Sequence, residues 1–222
     1  MKNSIVLLIT LIISVGSCQL ARALKKNEIM QKDILHLVYQ NDTLGVVKAL
    51  ENGANVHTTD SNKRSLLLIA TMGKQVEMAK ILVKHKADVN QQAENKDSAF
   101  LYAGASGQTE LVQLFLNNGA RFDIFNRYNG SALIPACERG HIETVRLLAN
   151  TKNYPIDHIN RLGWTALMEA IVLGDGSLKY QQIVRILKDA GAKMDIPDHD
   201  GVTPLQHAES KGFKEIVAII KS

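Results

Sequence analysis

The sequence predicts an all-α repeat solenoid of about six helix-turn-helix units, joined by β-hairpin or loop fingers. Three observations carry that expectation. Glu77, Glu110, Glu143, Gln182 and Glu215 recur at spacings of 33, 33, 39 and 33 residues. Each is followed by an apolar run at helical spacing. Of the 222 residues, 45% are hydrophobic but only 5% are aromatic, so the core must be built from Leu, Ile, Val and Ala. A fixed period of about 20–50 residues is the mark of a stacked array.

The chain opens with an address. Lys2 precedes an apolar run from Ile5 to Val15, followed by Gly16, Ser17, Cys18 and polar Gln19. As a helix this run would reach roughly 16 Å, about half of a hydrocarbon core, so it makes a poor membrane span. A short basic start, an apolar middle and small residues at the exit describe an export signal over residues 1–18. The stretch Val15-Gly16-Ser17-Cys18 resembles a bacterial lipobox, in which the cysteine is acylated and becomes the new N-terminus. Three other readings stand beside it: cleavage after Ala21-Arg22-Ala23, an uncleaved anchor, and an incidental cysteine. Residues 19–31 carry scattered basic side chains and few large apolar ones, which suits a tether. The expected location is the periplasmic side of a bacterial membrane, or the periplasm or medium if no acyl chain is attached.

Residues 32–222 hold the array, with units starting near Glu28, Asp60, Ala93, Asn126, Asn160 and Asp198. In the last five, a hydroxyl opens the first helix: Ser65, Ser98, Ser131, Thr165 and Thr203 are placed to accept free backbone N–H groups of the first turn. Gly107, Gly140, Gly174 and Gly212 suit the left-handed residue that ends this helix, with Lys74 in the same place earlier. The second helices follow, with Leu114, Leu147 and Ile186 expected on their inner stripe. Gly53, Gly119 and Gly191 mark the exits. The fourth unit runs one residue long near Asn153-Tyr154-Pro155, and the fifth about five residues long around Asp175–Lys179. Asp33, His36, Gln40 and Asn41 suit a polar cap at one end, and Lys211, Lys214 and Lys221 a cap at the other.

The units resemble the ankyrin repeat. Asp198-His199-Asp200-Gly201-Val202-Thr203-Pro204-Leu205, Gly140-His141-Ile142-Glu143 and Asn160-Arg161-Leu162-Gly163-Trp164-Thr165-Ala166-Leu167 carry the likeness, with Gln206 standing where the family usually has histidine. The resemblance implies stacked helix pairs with projecting fingers. It also implies protein binding through the fingers and the exposed face of each first helix, and a stitching role for His141 between neighbours.

Chemistry is sparse by comparison. The formal charge of +4 is weak evidence for a nucleic-acid partner, and none is expected. Two cysteines exclude a disulfide scaffold and a four-cysteine zinc site. No Gly-x-Ser-x-Gly, His-Glu-x-x-His or phosphate-cradling glycine loop is present, so no catalytic residue, metal site or cofactor is expected. Asp198 and Gly201 are explained by turn geometry, and Cys137, beside Ala136, by burial. The family register instead places Arg127, Tyr128, Arg139, Arg161, Leu162, Trp164 and Leu173 on one ridge. Trp, Tyr and Arg are the residue types most enriched at interface hot spots. Trp164 has a plainer reading as packing between fingers. The expected protein is a monomeric, envelope-tethered adaptor holding an unidentified protein partner. An immunity factor that occludes a toxic enzyme would use the same surface.

If Cys18 is the acylation site, feeding cells an alkyne analogue of palmitate labels the wild type and leaves Cys18→Ala unlabelled. Equal labelling of both proteins would remove the lipoprotein reading.

Overall fold

The computed structural model describes Met30 and residues 33–222. The export signal, Cys18 and most of the tether lie outside the described residues. Met30, within the segment assigned to the tether, is helical and half-buried.

Among the described residues, twelve helices form six pairs. The first pair is α1 (33–39) and α2 (Thr43–Glu51). Then come α3 (Leu66–Met72) with α4 (Val76–Lys84), and α5 (Ala99–Ala105) with α6 (Thr109–Leu116). The fourth pair is α7 (Leu133–Glu138) and α8 (Ile142–Ala149), and the fifth α9 (Ala166–Val172) and α10 (Leu178–Asp189). The sixth is α11 (Pro204–Ser210) and α12 (Lys214–Lys221). First helices pack on first helices and second on second.

Four of the five expected hydroxyl caps are formed. Ser65, Ser98, Thr165 and Thr203 accept from Leu68, Leu101, Met168 and Gln206 N–H at 3.0, 3.2, 3.2 and 3.3 Å. Ser131 does not cap α7, whose start is shifted one residue on, to Ala132. There the hydroxyl of Tyr154 accepts the Leu133 N–H at 3.1 Å. Tyr154 belongs to the unit that runs one residue long; Asn153 takes φ 61° just before it and the ring packs 4.9 Å from that of Phe122. The extra residue thus delivers a distant side chain to do what a local serine does elsewhere.

The left-handed positions are filled as expected at Gly107, Gly140 and Gly212 (φ 70°, 74° and 70°), and Lys74 adopts φ 54° in the same place. Gly174 is a correction. Its φ is not positive, and the left-handed residue is Gly176, at 73°. The longer fifth unit moves the break into its loop and lengthens α10 to 12 residues. Gly174 lies instead against the Ala170 carbonyl and the Tyr180 ring, where a side chain would collide.

The fingers are turns more than strands: the described residues show a single bridge, between Thr59 and Ser65. Four of these turns are each held by one side-chain carbonyl or carboxylate. Asp60 Oδ1 accepts from Asn62 and Arg64 N–H, both at 2.9 Å, and Asp198 Oδ1 from Asp200 and Val202 at 3.0 and 2.9 Å. Asn126 and Asn160 do the same. Ala93 cannot, and Gln92 substitutes by donating to the Lys96 and Phe125 carbonyls at 2.6 and 2.8 Å. Adjacent fingers are joined by Glu94 N–H to Asn62 carbonyl at 3.1 Å and Arg161 N–H to Tyr128 carbonyl at 2.9 Å.

The core runs through the array. Leu82, Phe115, Leu148 and Leu187 are fully buried at one register position of the second helices. Leu114 and Leu147, expected at that depth, are half-buried one residue earlier, where the helix begins to face solvent; Ile186 is buried. Cross-unit bonds complete the stack. Gln108 Nε2 donates to the Thr71 carbonyl at 3.0 Å, and Tyr180 Oη to the Glu138 carbonyl at 2.7 Å. The His141 ring lies against Gly107 of the preceding unit, in line with the stitching role. No helix among the described residues is long and apolar enough to cross a membrane.

Tyr154→Phe keeps the ring and removes the acceptor for a buried N–H. Urea unfolding should show a loss of about 1–3 kcal/mol, the usual cost of an unsatisfied buried donor.

Candidate functional site

The first helices place two register positions towards the fingers. Four residues past each cap stand Tyr102, Pro135 and Glu169, and seven past it Ala105 and Glu138. Together with the fingers they wall a hollow of about 610 Å³ across the third, fourth and fifth units. Arg127, Tyr128, Arg139, Leu162 and Leu173 all line it. Tyr128, Leu162 and Leu173 are 54%, 52% and 48% exposed, which is high for large apolar side chains.

Arg161 and Trp164 stand apart from it. Arg161 is exposed outside the hollow. Trp164 is half-buried; its N–H donates to Asn160 Oδ1 at 3.1 Å and its carbonyl accepts from Asn160 N–H at 3.0 Å. Both bonds are made by the Trp164 main chain within the turn, and the half-burial shows that Trp164 is no freely projecting tip. The expected ridge therefore divides into five residues that converge and two that do not.

The electrostatics of the hollow are mixed. The Arg127 guanidinium lies 4.8 Å over the Tyr128 ring and 3.9 Å from the Asp97 carboxylate. Arg139 Nη1 donates to the Ala105 carbonyl at 2.6 Å. Burial pushes the Asp97 carboxyl up, against the pull of Arg127 and of the Asn95 amide. Glu169 is 5% exposed, and its Oε1 accepts from Asn160 Nδ2 at 2.8 Å. Burial, and then the nearby Glu138 charge, push this carboxyl up to about 7, with the Asn160 bond opposing. Burial foremost, and the Glu169 charge after it, push the Cys137 thiol well up, which leaves it in the un-ionised, unreactive form. The described residues contain no group of His, Cys, Asp or Glu placed to hold a metal.

Tyr102 and Glu169 were not singled out from the sequence. The signal was there: Ile69 and Pro135 hold the same register position, so an acid at 169 breaks an otherwise mostly apolar or aromatic column. What the register could not give was the depth of that position.

The raised carboxyl of Glu169 has a consequence for stability. Its folded value, about 7, lies above the ordinary 4.5, so the folded state binds the proton more tightly. Its contribution is favourable below about 4.5 and is lost as pH rises through about 7, the reverse of an ion-paired carboxylate. Glu169→Gln keeps the acceptor for Asn160 and should be more stable than wild type at pH 8 by about 1–2 kcal/mol, with the gap closing at pH 5. Urea unfolding of both proteins at the two pH values checks this.

Known proteins share this architecture. A family model described as ankyrin repeats (3 copies) matches residues 35–126 and 100–198. The ankyrin repeat protein YahD of Escherichia coli (strain K12) is 45% identical over 74 residues, which span 33% of this chain and 36% of that one. An ankyrin repeat domain from Acinetobacter baumannii AYE superposes with a TM-score of 0.82 at 40% identity, covering 85% of this chain and 95% of its own. The ankyrin repeat protein EF0377 gives a TM-score of 0.83 at 38% identity, with 86% and 96% covered. With the stacked pairs, the turn-built fingers and a family match across most of its length, the chain belongs to the ankyrin-repeat family.

Proposed function

We propose that this protein is a binding module that holds one protein partner in the hollow between its third and fifth repeats, without catalysing a reaction. The observation that carries the reading is convergence. Five side chains chosen by register alone meet around one hollow, and three of them are large, apolar and about half exposed. Arginine beside tyrosine is the composition of an interface hot spot, and Leu162 and Leu173 add exposed apolar surface around it. A position on the periplasmic face of a bacterial membrane, held by a lipid on Cys18, is part of the same proposal. It is supported by the small residues that precede Cys18 and the short apolar run before them.

Crosslinking in cells followed by recovery of the protein from envelope extracts and mass spectrometry should identify the partner. Tyr128→Ala and Leu173→Ala should each weaken its binding by about 2 kcal/mol or more. Both side chains leave the hollow without opening the core, so melting temperatures should stay close to wild type. Trp164→Ala should do the converse, lowering the melting temperature while the folded protein binds nearly as before. Unchanged affinity in Tyr128→Ala and Leu173→Ala together would place the partner elsewhere.

A further inference from the structure

We infer that the hollow is a seat for one cationic side chain, an arginine or lysine of the bound partner, held against Glu169. The inference rests on the binding reading above and narrows it to a chemistry. Glu169 is more than nine-tenths buried, yet it lines the hollow. Only one of its oxygens is engaged, Oε1 by Asn160 Nδ2 at 2.8 Å. Among the described residues no second donor and no cation reaches this carboxylate, so it lacks the counter-charge a buried acid needs.

The chain's own arginines in the hollow are committed elsewhere. Arg139 is bound to the Ala105 carbonyl, and Arg127 lies over Tyr128 beside Asp97. Glu138 and Asp97 line the same space. Three carboxyl groups thus face two occupied guanidinium groups, and the balance favours an incoming positive charge. The walls suit the rest of a long basic side chain: Tyr102 and Leu173 offer flat and apolar surface for its methylene stem. A volume of about 610 Å³ admits such a side chain with room to spare.

The test pans a random twelve-residue peptide library, displayed on phage, on the immobilised full chain, and re-synthesises the retained peptides. The expected peptides share one basic residue. Replacing it by citrulline or glutamine should weaken binding about tenfold or more, a charge-pair effect of ordinary size. Glu169→Gln in the protein should cause a similar loss, and the two changes together should add little to either alone. Glu169→Gln retains the acceptor for Asn160, and its melting curve establishes that it is folded. Peptides that lose affinity on Tyr128→Ala or Leu173→Ala, yet share no basic residue or ignore Glu169→Gln, would overturn the cation seat and leave the binding site standing. If no retained peptide responds to Tyr128→Ala or Leu173→Ala, the hollow is not a docking site and both readings fall.

Discussion

No helix pair in this protein can bury its own apolar stripe; each is dry only because a neighbour lies on it. That constraint organises everything else. It puts Leu82, Phe115, Leu148 and Leu187 at the same depth in successive repeats, with no exposure at any of them. It also makes cross-repeat hydrogen bonds, such as Gln108 to Thr71 and Tyr180 to Glu138, part of the fold and not ornaments on it. A single repeat would leave these groups and surfaces wet, so stability is a property of neighbouring pairs. The hollow has the same origin. Its walls come from three repeats, and it exists only while they are stacked in register.

Much of this was legible in the residues, because the repeat turns a tertiary problem into a local one. A hydroxyl before a helix, a glycine after it and an Asp or Asn at the turn act within four residues, and such effects survive reading one sequence alone. What escaped the sequence are the points where length changes. One extra residue before Tyr154 lets its hydroxyl reach across to α7 and displace the expected cap at Ser131. The longer loop of the fifth repeat moves the left-handed residue from Gly174 to Gly176. In both places the period breaks, and at Ser131 the neighbour that decides the outcome lies some twenty residues off in the chain. The site shows a third kind of limit. Register gave the ridge on which Trp164 lies, but not that Trp164 is half-buried outside the hollow, nor that Glu169 is buried in its wall.

A buried acid without a cation is an expensive feature for a small protein, since desolvating a carboxylate costs several kcal/mol when nothing compensates it. An array is a good place to keep one. The flanking repeats hold α9 in position through its aliphatic residues, with Ala166, Leu167, Met168, Ala170 and Ile171 all buried around Glu169. The local loss is spread over neighbours that do not depend on it. Function can then be set residue by residue on the groove side, while the opposite side of each helix keeps the stack together.

Asn160 draws these threads to one amide. Its Oδ1 holds the N–H groups of Leu162 and Trp164 at 2.9 and 3.1 Å, and its Nδ2 holds Glu169 at 2.8 Å. Both ends of a single side chain are thus engaged, one fixing the shape of the finger and the other the acid beside it. Neither can be re-aimed alone, because rotating the amide to serve one partner abandons the other. The fifth finger and the acid beside it are therefore set by one side chain, so that Leu162 and Glu169, both lining the hollow, share a single point of attachment at Asn160.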